Sequence, residues 1–216
     1  MRKTLFLATA LIGFCTTAGA GAITFKDDPF AGTTALTTAG RQVIGGELST
    51  EFDIQNDVFQ FDPAVFGIDS LSFANGPIGD IPGIGTNLAV LRTFDNDNNA
   101  ATPFGAGNAA NLLADQITNP GAGFFIYFNS GLDLARLVFS TDLSDATADL
   151  KILARLTNFS GQAGRDAMAG FSDRNFSTDV PEPTTLGVLA VAAAGLLFLR
   201  RRRATKTDDV AGAAMA

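Results

Sequence analysis

The sequence predicts a mainly β ectodomain with an antiparallel β-sandwich or jelly-roll-like arrangement, flanked by a signal peptide and one C-terminal transmembrane helix. Short segments in which apolar and polar residues alternate are separated by stretches rich in Gly, Pro and Asn, a spacing typical of β-sandwiches. Most of the 19 phenylalanines lie in the ectodomain, where they provide core mass in a chain that has no tryptophan. The predicted strands and helices do not alternate regularly along the chain, so the sequence does not predict βαβ units.

The first twenty residues have the pattern of an export signal. Arg2 and Lys3 precede an apolar run over residues 5–14, and Ala18 and Ala20 form a small-x-small cleavage pattern. We therefore expect the Sec machinery and signal peptidase as partners, with cleavage after Ala20. The alternative is a short buried helix of a cytosolic domain, but the order of charge, apolar run and small residues argues against it.

The other end has a second membrane signal. Residues 184–199 contain no charged side chain, and at about 1.5 Å per residue they reach about 24 Å, slightly less than a bilayer core. Four basic residues follow directly: Arg200, Arg201, Arg202 and Arg203. By the positive-inside rule, residues 200–216 form a cytoplasmic tail and the rest of the chain lies outside. A buried core helix is the alternative for the apolar run.

Residues 21–183 are strongly acidic, with 8 basic and 20 acidic side chains and a net charge of −12. This charge predicts no binding to nucleic acid or anionic lipid. Cys15 is the chain's one cysteine and lies within the export signal, after Phe14 rather than after the small residue of a lipobox. Disulfides and thiolate metal sites are therefore excluded from the ectodomain.

The first half of the ectodomain, whose predicted bounds are residues 21–175, shows two strand patterns. Residues 47–55 alternate in polarity, residues 58–61 continue the alternation after a turn, and a hairpin is the simplest interpretation. Residues 73–87 are rich in Gly and Pro and are predicted to be a loop. Residues 88–94 are predicted to form a strand.

The second half begins with a predicted helix over residues 109–117, capped by Asn108. Three predicted strands follow it, at residues 124–128, 134–141 and 150–156. The first of these is an unbroken apolar run. Residues 161–175 read as a Gly-rich loop, and residues 176–183 as the linker to the membrane span.

The C-terminal end resembles the PEP-CTERM sorting signal. Val180, Pro181, Glu182 and Pro183 precede the apolar stretch, and the arginines follow it. The resemblance implies that an exosortase recognises Pro181, Glu182 and Pro183 and removes the anchor. The protein would then be held first in the inner membrane and afterwards reach the cell surface or an extracellular polysaccharide matrix. The resemblance covers about 25 residues and implies no activity for the ectodomain.

One acidic cluster has the beginning of a calcium-loop spacing. Asp95, Asp97 and Asn99 occupy positions one, three and five, and their oxygens suit Ca²⁺. Ala100 and Ala106 stand where such a loop has glycine and a bidentate glutamate. An Asn/Asp turn between strands explains the same residues without a metal.

Two further patterns have simpler explanations. Asp142, Asp145 and Asp149 lie close enough in the chain to supply a glycosidase-like carboxylate pair, although solvation in surface loops explains them better. Asn158 and Asn175 each begin an N-x-S pattern, which we attribute to chance in a chain with a bacterial sorting signal.

The absence of histidine argues against an enzyme, because a serine nucleophile then lacks its common base and zinc its common ligand. We expect a secreted, non-catalytic surface or matrix protein associated with exopolysaccharide and requiring no cofactor. A Ca²⁺-assisted carbohydrate-binding adhesion module is one alternative. A carboxylate-based glycoside hydrolase is the other.

Overall fold

The computed structural model describes residues 21–99 and 101–178. Within them lie three α-helices: α1 Pro63–Phe66, α2 Ala106–Gln116 and α3 Gly161–Ala167. The same residues form ten strands: β1 Ala22–Phe25, β2 Val43–Ile44, β3 Leu48–Thr50, β4 Val58–Phe61, β5 Phe73–Gly76, β6 Leu88–Leu91, β7 Gly123–Asn129, β8 Leu134–Ser140, β9 Leu150–Ser160 and β10 Phe176–Ser177. The predicted signal peptide, transmembrane helix and basic tail lie outside the described residues. The prediction of a mainly β ectodomain is confirmed.

The strands form two sheets. The large sheet has seven strands in the order β2-β9-β8-β7-β6-β5, with β3 also paired to β9. The small sheet has the order β1-β4-β10. Six of the eight strand pairings in the described residues are parallel, and only β7–β8 and β8–β9 are antiparallel. The predicted antiparallel sandwich or jelly roll is therefore not confirmed, since antiparallel pairing is limited to the β7–β9 meander.

A crossover explains part of this parallel pairing. Helix α2 lies between β6 and β7 in the chain, and these two strands pair in parallel, with Leu88 opposite Phe124. Parallel neighbours need a long connection, which is commonly a helix. The structure thus contains a βαβ unit, contrary to the sequence prediction. The strand, the helix and the next strand were each predicted, but the parallel pairing that their order favours was not.

Strand β7 separates two apolar cores. All seven of its residues are buried, which is typical of a strand covered on both faces. Because side chains alternate along a strand, Phe124 and Phe128 face one core, while Phe125 and Tyr127 face the other. The first core lies against the small sheet and is rich in phenylalanine. The second lies against α2.

Aromatic contacts connect the small sheet to the large one. Phe61 of β4 stacks on Phe124 of β7 with 3.8 Å between ring centroids, and Phe66 meets Phe124 edge-on at 5.1 Å. Phe52 stacks on Phe59 at 4.2 Å. Offset stacks and edge-to-face pairs are the favoured aromatic geometries. Phenylalanine thus supplies the contact between the sheets.

Helix α2 begins slightly earlier than predicted. Its N-cap is Gly105, and Asn108 lies within the first turn, where its Oδ1 accepts a hydrogen bond from the Gly105 amide at 3.0 Å. Asn108 therefore satisfies an amide at the helix start without being the N-cap residue. Ala109 and Leu113 are fully buried in the second core, as their spacing along one helix face predicts.

Two predicted loops contain regular structure. Residues 73–87 include β5 and a 3₁₀ helix, Ile78–Asp80. Residues 161–175 include α3 and two more 3₁₀ helices. Glycine lowers helix propensity, so composition favoured a loop there. A Cβ on Gly164 would lie 2.2 Å from the carbonyl carbon of Phe159, so this glycine allows α3 to pack directly on the end of β9.

The predicted hairpin is also wrong. Strand β3 pairs with β9 in the large sheet, whereas β4 lies between β1 and β10 in the small sheet. The alternation correctly placed β4, but the strand predicted over residues 47–55 is limited to Leu48–Thr50, and the pattern could not identify the partner of either strand. The predicted linker from residue 176 likewise begins within the fold, because Phe176 is buried and pairs with Phe59. Among the described residues no helix is both long and apolar enough to cross a bilayer.

Candidate functional site

The predicted sorting motif immediately follows the described fold. Pro181, Glu182 and Pro183 lie outside the described residues, as do the signal-cleavage residues Ala18 and Ala20 and the membrane-flanking arginines Arg200, Arg201, Arg202 and Arg203. Thr178 is the last described residue, and its hydroxyl donates to the carbonyl of Asp69 at 3.1 Å. The chain is therefore held by the fold up to a point just before the motif.

A cavity of about 620 Å³ lies beside the last described residues. Strand β10 lines one side of it, and residues 69–73 line another. Its polar groups are carboxylates and hydroxyls, and no basic residue is among the described lining residues. This cavity therefore offers no charge complementary to an anion.

The predicted calcium-loop residues form a series of Asx turns. Asp95 Oδ1 accepts the Asp97 amide at 3.0 Å, Asp97 Oδ1 accepts the Asn99 amide at 2.9 Å, and Asn99 Oδ1 accepts the Ala101 amide at 3.1 Å. The hydrogen bond from the Asp97 amide is the main cause of a lowered pKa at the exposed Asp95. Each side chain thus has one oxygen engaged by the backbone, which is the turn alternative. Calcium binding stays a prediction.

Asp142, Asp145 and Asp149, which were considered as the source of a catalytic carboxylate pair, stabilise loops. Asp142 and Asp145 accept hydrogen bonds from nearby amides and hydroxyls, such as Ser144 and Thr147. Asp149 is buried, and its two oxygens accept the amides of Gln42 and Leu36, both at 2.6 Å. Within the described residues no three acidic side chains gather into a group that could hold a metal.

The two asparagines of the N-x-S patterns also have structural roles. Asn158 forms paired hydrogen bonds with the backbone of Phe52, at 3.0 Å to the amide and 2.9 Å to the carbonyl. Asn175 is buried and donates to the carbonyls of Ile54 at 2.8 Å and Asp57 at 3.1 Å. Both asparagines thus fix the segment that leads into β4.

A charged cluster lies on the α2-facing side of the large sheet. Glu47 is almost fully buried and forms ion pairs with Arg136 of β8 and Arg155 of β9, which are opposite each other in the sheet. Burial raises the pKa of Glu47, but hydrogen bonds from its own backbone and from both arginines outweigh that effect and lower the pKa to about 2. The carboxylate is thus held in its charged form, and the cluster joins β3 to the meander.

A second cavity, of about 410 Å³, lies at the carboxyl ends of the parallel strands β5 and β6. Its described lining includes Arg92 and Phe94, which follow β6, and Arg165 of α3, with Asp166, Pro77 and Ala169 completing it. Arg165 also lies over the ring of Phe128, with Cζ 4.9 Å from the ring centroid. We name this cavity the arginine pocket.

Hydrogen bonds from β5 hold the segment around Ala169 that forms one wall of the arginine pocket. Asn75 of β5 donates to the carbonyls of Met168 and Phe171, at 3.1 and 3.0 Å, and these two residues flank Ala169 in the chain. The guanidinium of Arg92 has no hydrogen bond or ion pair within the described residues, and its buried Nε is without a partner. The pocket thus has a wall whose backbone is hydrogen-bonded to Asn75, and it contains Arg92, which has no ion-pair partner among the described residues.

Neither Glu47 nor the arginine pocket is recognisable from a local sequence pattern. Arg92 and Arg165 are far apart in the chain, and only the packing of α3 near the end of β6 brings them to one cavity. The one signal in the sequence was the small number of basic residues. Only eight occur in residues 21–183, so any of them without an acidic partner would be a candidate for binding an anion.

Comparison with known families gives one match, and it lies outside the described fold. The family model of the PEP-CTERM protein-sorting motif matches residues 179–203, which include Pro181, Glu182, Pro183 and the four arginines. Neither the curated proteins nor the solved structures contain a match to the chain. The motif indicates a secreted protein that is processed by an exosortase.

Proposed function

Since the chain is a PEP-CTERM protein by its sorting motif, we propose that it is a non-catalytic surface or extracellular-matrix protein associated with exopolysaccharide. The observation that carries this proposal is the match over residues 179–203. The signal peptide would export the ectodomain, the C-terminal segment would hold it in the membrane, and exosortase processing would release it.

The chemistry of the ectodomain supports a non-catalytic role. Histidine is absent from the chain, and the only cysteine lies in the export signal. The aspartates that sequence analysis considered for hydrolysis accept hydrogen bonds from loop amides, and the buried Glu47 is paired with two arginines. A carboxylate hydrolase needs an acid and a base facing one cleft. None of these carboxylates lines the arginine pocket or the cavity of about 620 Å³, where the carboxylates are Asp69 and Asp173.

Processing is tested by replacing the central residue of the motif. We expect Glu182→Ala to leave the full-length form in the membrane fraction, because the exosortase no longer recognises the motif. Glu51→Ala, which changes an exposed glutamate within the fold, is the matched control and should be released like the wild type. Immunoblotting of the membrane and the medium measures the release. Unchanged release of Glu182→Ala would contradict the proposal.

Matrix association is tested in the cells that make the protein. The wild type should co-fractionate with extracellular polysaccharide and enter the medium when that polysaccharide is removed enzymatically. A protein that stays on cells stripped of polysaccharide would be a surface protein without the matrix association.

The non-catalytic role is tested with the purified chain on glycoside, peptide, ester and phosphate substrates, with and without Ca²⁺. We expect no turnover. Turnover that disappears when a single Asp or Glu is replaced, while the fold is retained, would refute this part of the proposal.

A further inference from the structure

We propose that the arginine pocket is a subsite for an acidic sugar, in which Arg92 and Arg165 bind the carboxylate of a uronic acid unit of a polysaccharide. The inference rests on the proposed function, because it specifies which kind of matrix polysaccharide the protein holds. It concerns a surface that the sorting motif does not involve.

The first argument is the unpaired charge of Arg92. Its side chain is half-buried and its Nε is fully buried, yet within the described residues the guanidinium has neither an ion pair nor a hydrogen bond. A partly desolvated cation without a counterion is unfavourable, and a bound carboxylate would compensate it. Arg136 and Arg155 show the contrast, because both are paired with Glu47.

The second argument is the presence of another arginine in the same cavity. Arg165 is oriented by the ring of Phe128 and by Gln162, whose Oε1 accepts from its Nε and Nη2 at 3.2 and 3.1 Å. Neither contact neutralises its charge. A planar guanidinium binds a carboxylate through two parallel hydrogen bonds, and two guanidiniums at one cavity strengthen such binding.

The shape and lining of the pocket favour a sugar. Its volume of about 410 Å³ falls in the range of small-molecule sites. Phe94 is only partly buried and supplies an apolar ring beside the two cations. An apolar ring next to paired cations fits a sugar ring with a carboxylate better than an extended acidic peptide.

Two negative features act against the binding of any anion. Asp166 lines the same pocket, and the ectodomain as a whole is acidic. Charges more than about 8–10 Å away are largely screened at physiological salt, so the nearby arginines determine binding. Asp166 is exposed and its Oδ1 already accepts from Gln162 at 2.7 Å, so it lowers the affinity without filling the site.

The binding test uses the full chain in detergent and trigalacturonate as the probe, with isothermal titration calorimetry as the measurement. The methyl ester of trigalacturonate has the same backbone without the charges, and triglutamate has the charges without the sugar. We expect binding of the acid alone. Equal binding of the ester, equal binding of triglutamate, or no binding of trigalacturonate would each overturn the proposal.

Arginine variants locate the site. Arg92→Gln and Arg165→Gln should each weaken trigalacturonate binding roughly tenfold or more, because each removes a charge-assisted hydrogen-bonding group. Arg174→Gln changes the net charge equally at an exposed position outside the pocket, and it should bind like the wild type. Equal weakening in all three would show a general charge effect and refute the site.

A variant with the opposite effect excludes misfolding as the explanation. Asp166→Asn removes the negative charge but keeps an oxygen for the hydrogen bond from Gln162. It should bind trigalacturonate about two- to fivefold more tightly than the wild type. An unchanged or weakened affinity would show that the anion does not lie beside Asp166.

The same variants separate this inference from the proposed function. If the pocket retains the protein in the matrix, Arg92→Gln with Arg165→Gln should be secreted normally but lost from the polysaccharide fraction. Retention of this double variant would refute the pocket and leave the matrix role intact. Absence of the wild type from the matrix, with trigalacturonate binding preserved, would refute the matrix role instead.

Discussion

The β7–β9 meander and the small sheet differ in how far apart in the chain their strands lie. The meander connects consecutive strands through residues 130–133 and 141–149, and its register pairs residues from one continuous segment. The small sheet joins residues 22–25, 58–61 and 176–177. Sequence patterns predicted the three strands of the meander but not the small sheet, because long-range pairing leaves little local signal.

The two regions also differ in what stabilises them. β9 has eleven residues and pairs along both edges, whereas β10 has two residues and one partner. The small sheet therefore depends on side chains, chiefly the phenylalanine stack between Phe61 and Phe124 and the buried hydrogen bonds of Asn175. Replacement of Phe124 tests this difference directly, and three further substitutions test β3, α3 and the loop after β6.

The largest effect is expected at the contact between the two regions. Phe124→Ala and Phe125→Ala each remove a fully buried ring from β7, on opposite faces, and each should lower the free energy of unfolding by about 3–5 kcal/mol. Only Phe124 contacts the small sheet. Hydrogen exchange should therefore show earlier loss of protection at β4 in Phe124→Ala than in Phe125→Ala. Identical exchange patterns would mean that the small sheet does not depend on this stack.

The second test concerns the ion pairs that attach β3 to the meander. The pKa of Glu47 is about 2 in the folded protein and ordinarily 4.5, so its stabilisation is present above pH 4.5 and is lost as the pH falls toward 2. A shift of this size corresponds to at most about 3 kcal/mol, and solvent screening at the half-exposed Arg155 reduces it. Glu47→Gln should therefore differ most from the wild type at neutral pH, and the difference should shrink in acid.

Urea unfolding at several pH values measures this difference. Glu51→Gln, at an exposed position without an ion pair in the described residues, should follow the wild type throughout. A constant gap between Glu47→Gln and the wild type from pH 7 to pH 2 would contradict a charged Glu47.

The third test concerns the close packing of α3 on β9. Gly164→Ala should cost about 1–3 kcal/mol, because the new methyl group would contact the backbone of Phe159. Gly79→Ala is the control, since a Cβ at that residue meets nothing within 4 Å, and thermal unfolding should show little change. Equal stability of both variants would show that α3 can move away from β9 at little cost.

The smallest effect is expected in the loop between β6 and α2. If residues 95–99 act as turns, Asp97→Asn should change the free energy of unfolding by less than about 0.5 kcal/mol, because an asparagine oxygen accepts the same amide. Millimolar Ca²⁺ should leave the unfolding temperature unchanged. A rise in that temperature that Asp97→Asn abolishes would instead support the calcium-binding alternative.

The candidate site was less predictable than the fold. The sorting motif is a continuous pattern, so Pro181, Glu182 and Pro183 were identified directly. The arginine pocket is discontinuous, since Arg92 and Arg165 meet only after β6 and α3 are in place. The three aspartates that sequence suggested for chemistry were clustered in the chain, but their side chains turn toward separate loop amides.

The sequence by itself determined the mainly β class, the three strands of the meander, helix α2 and the sorting motif, because each depends on the periodicity or order of neighbouring residues. Only the tertiary structure decided the parallel pairings, the partners of β3, β4 and β10, and the helical conformation of residues 161–167. These features depend on contacts between distant segments, such as Gly164 against Phe159 and Phe61 against Phe124. The free energy of such contacts outweighs local propensity. Because the contacts join segments that are far apart in the chain, the pattern of neighbouring residues does not predict them.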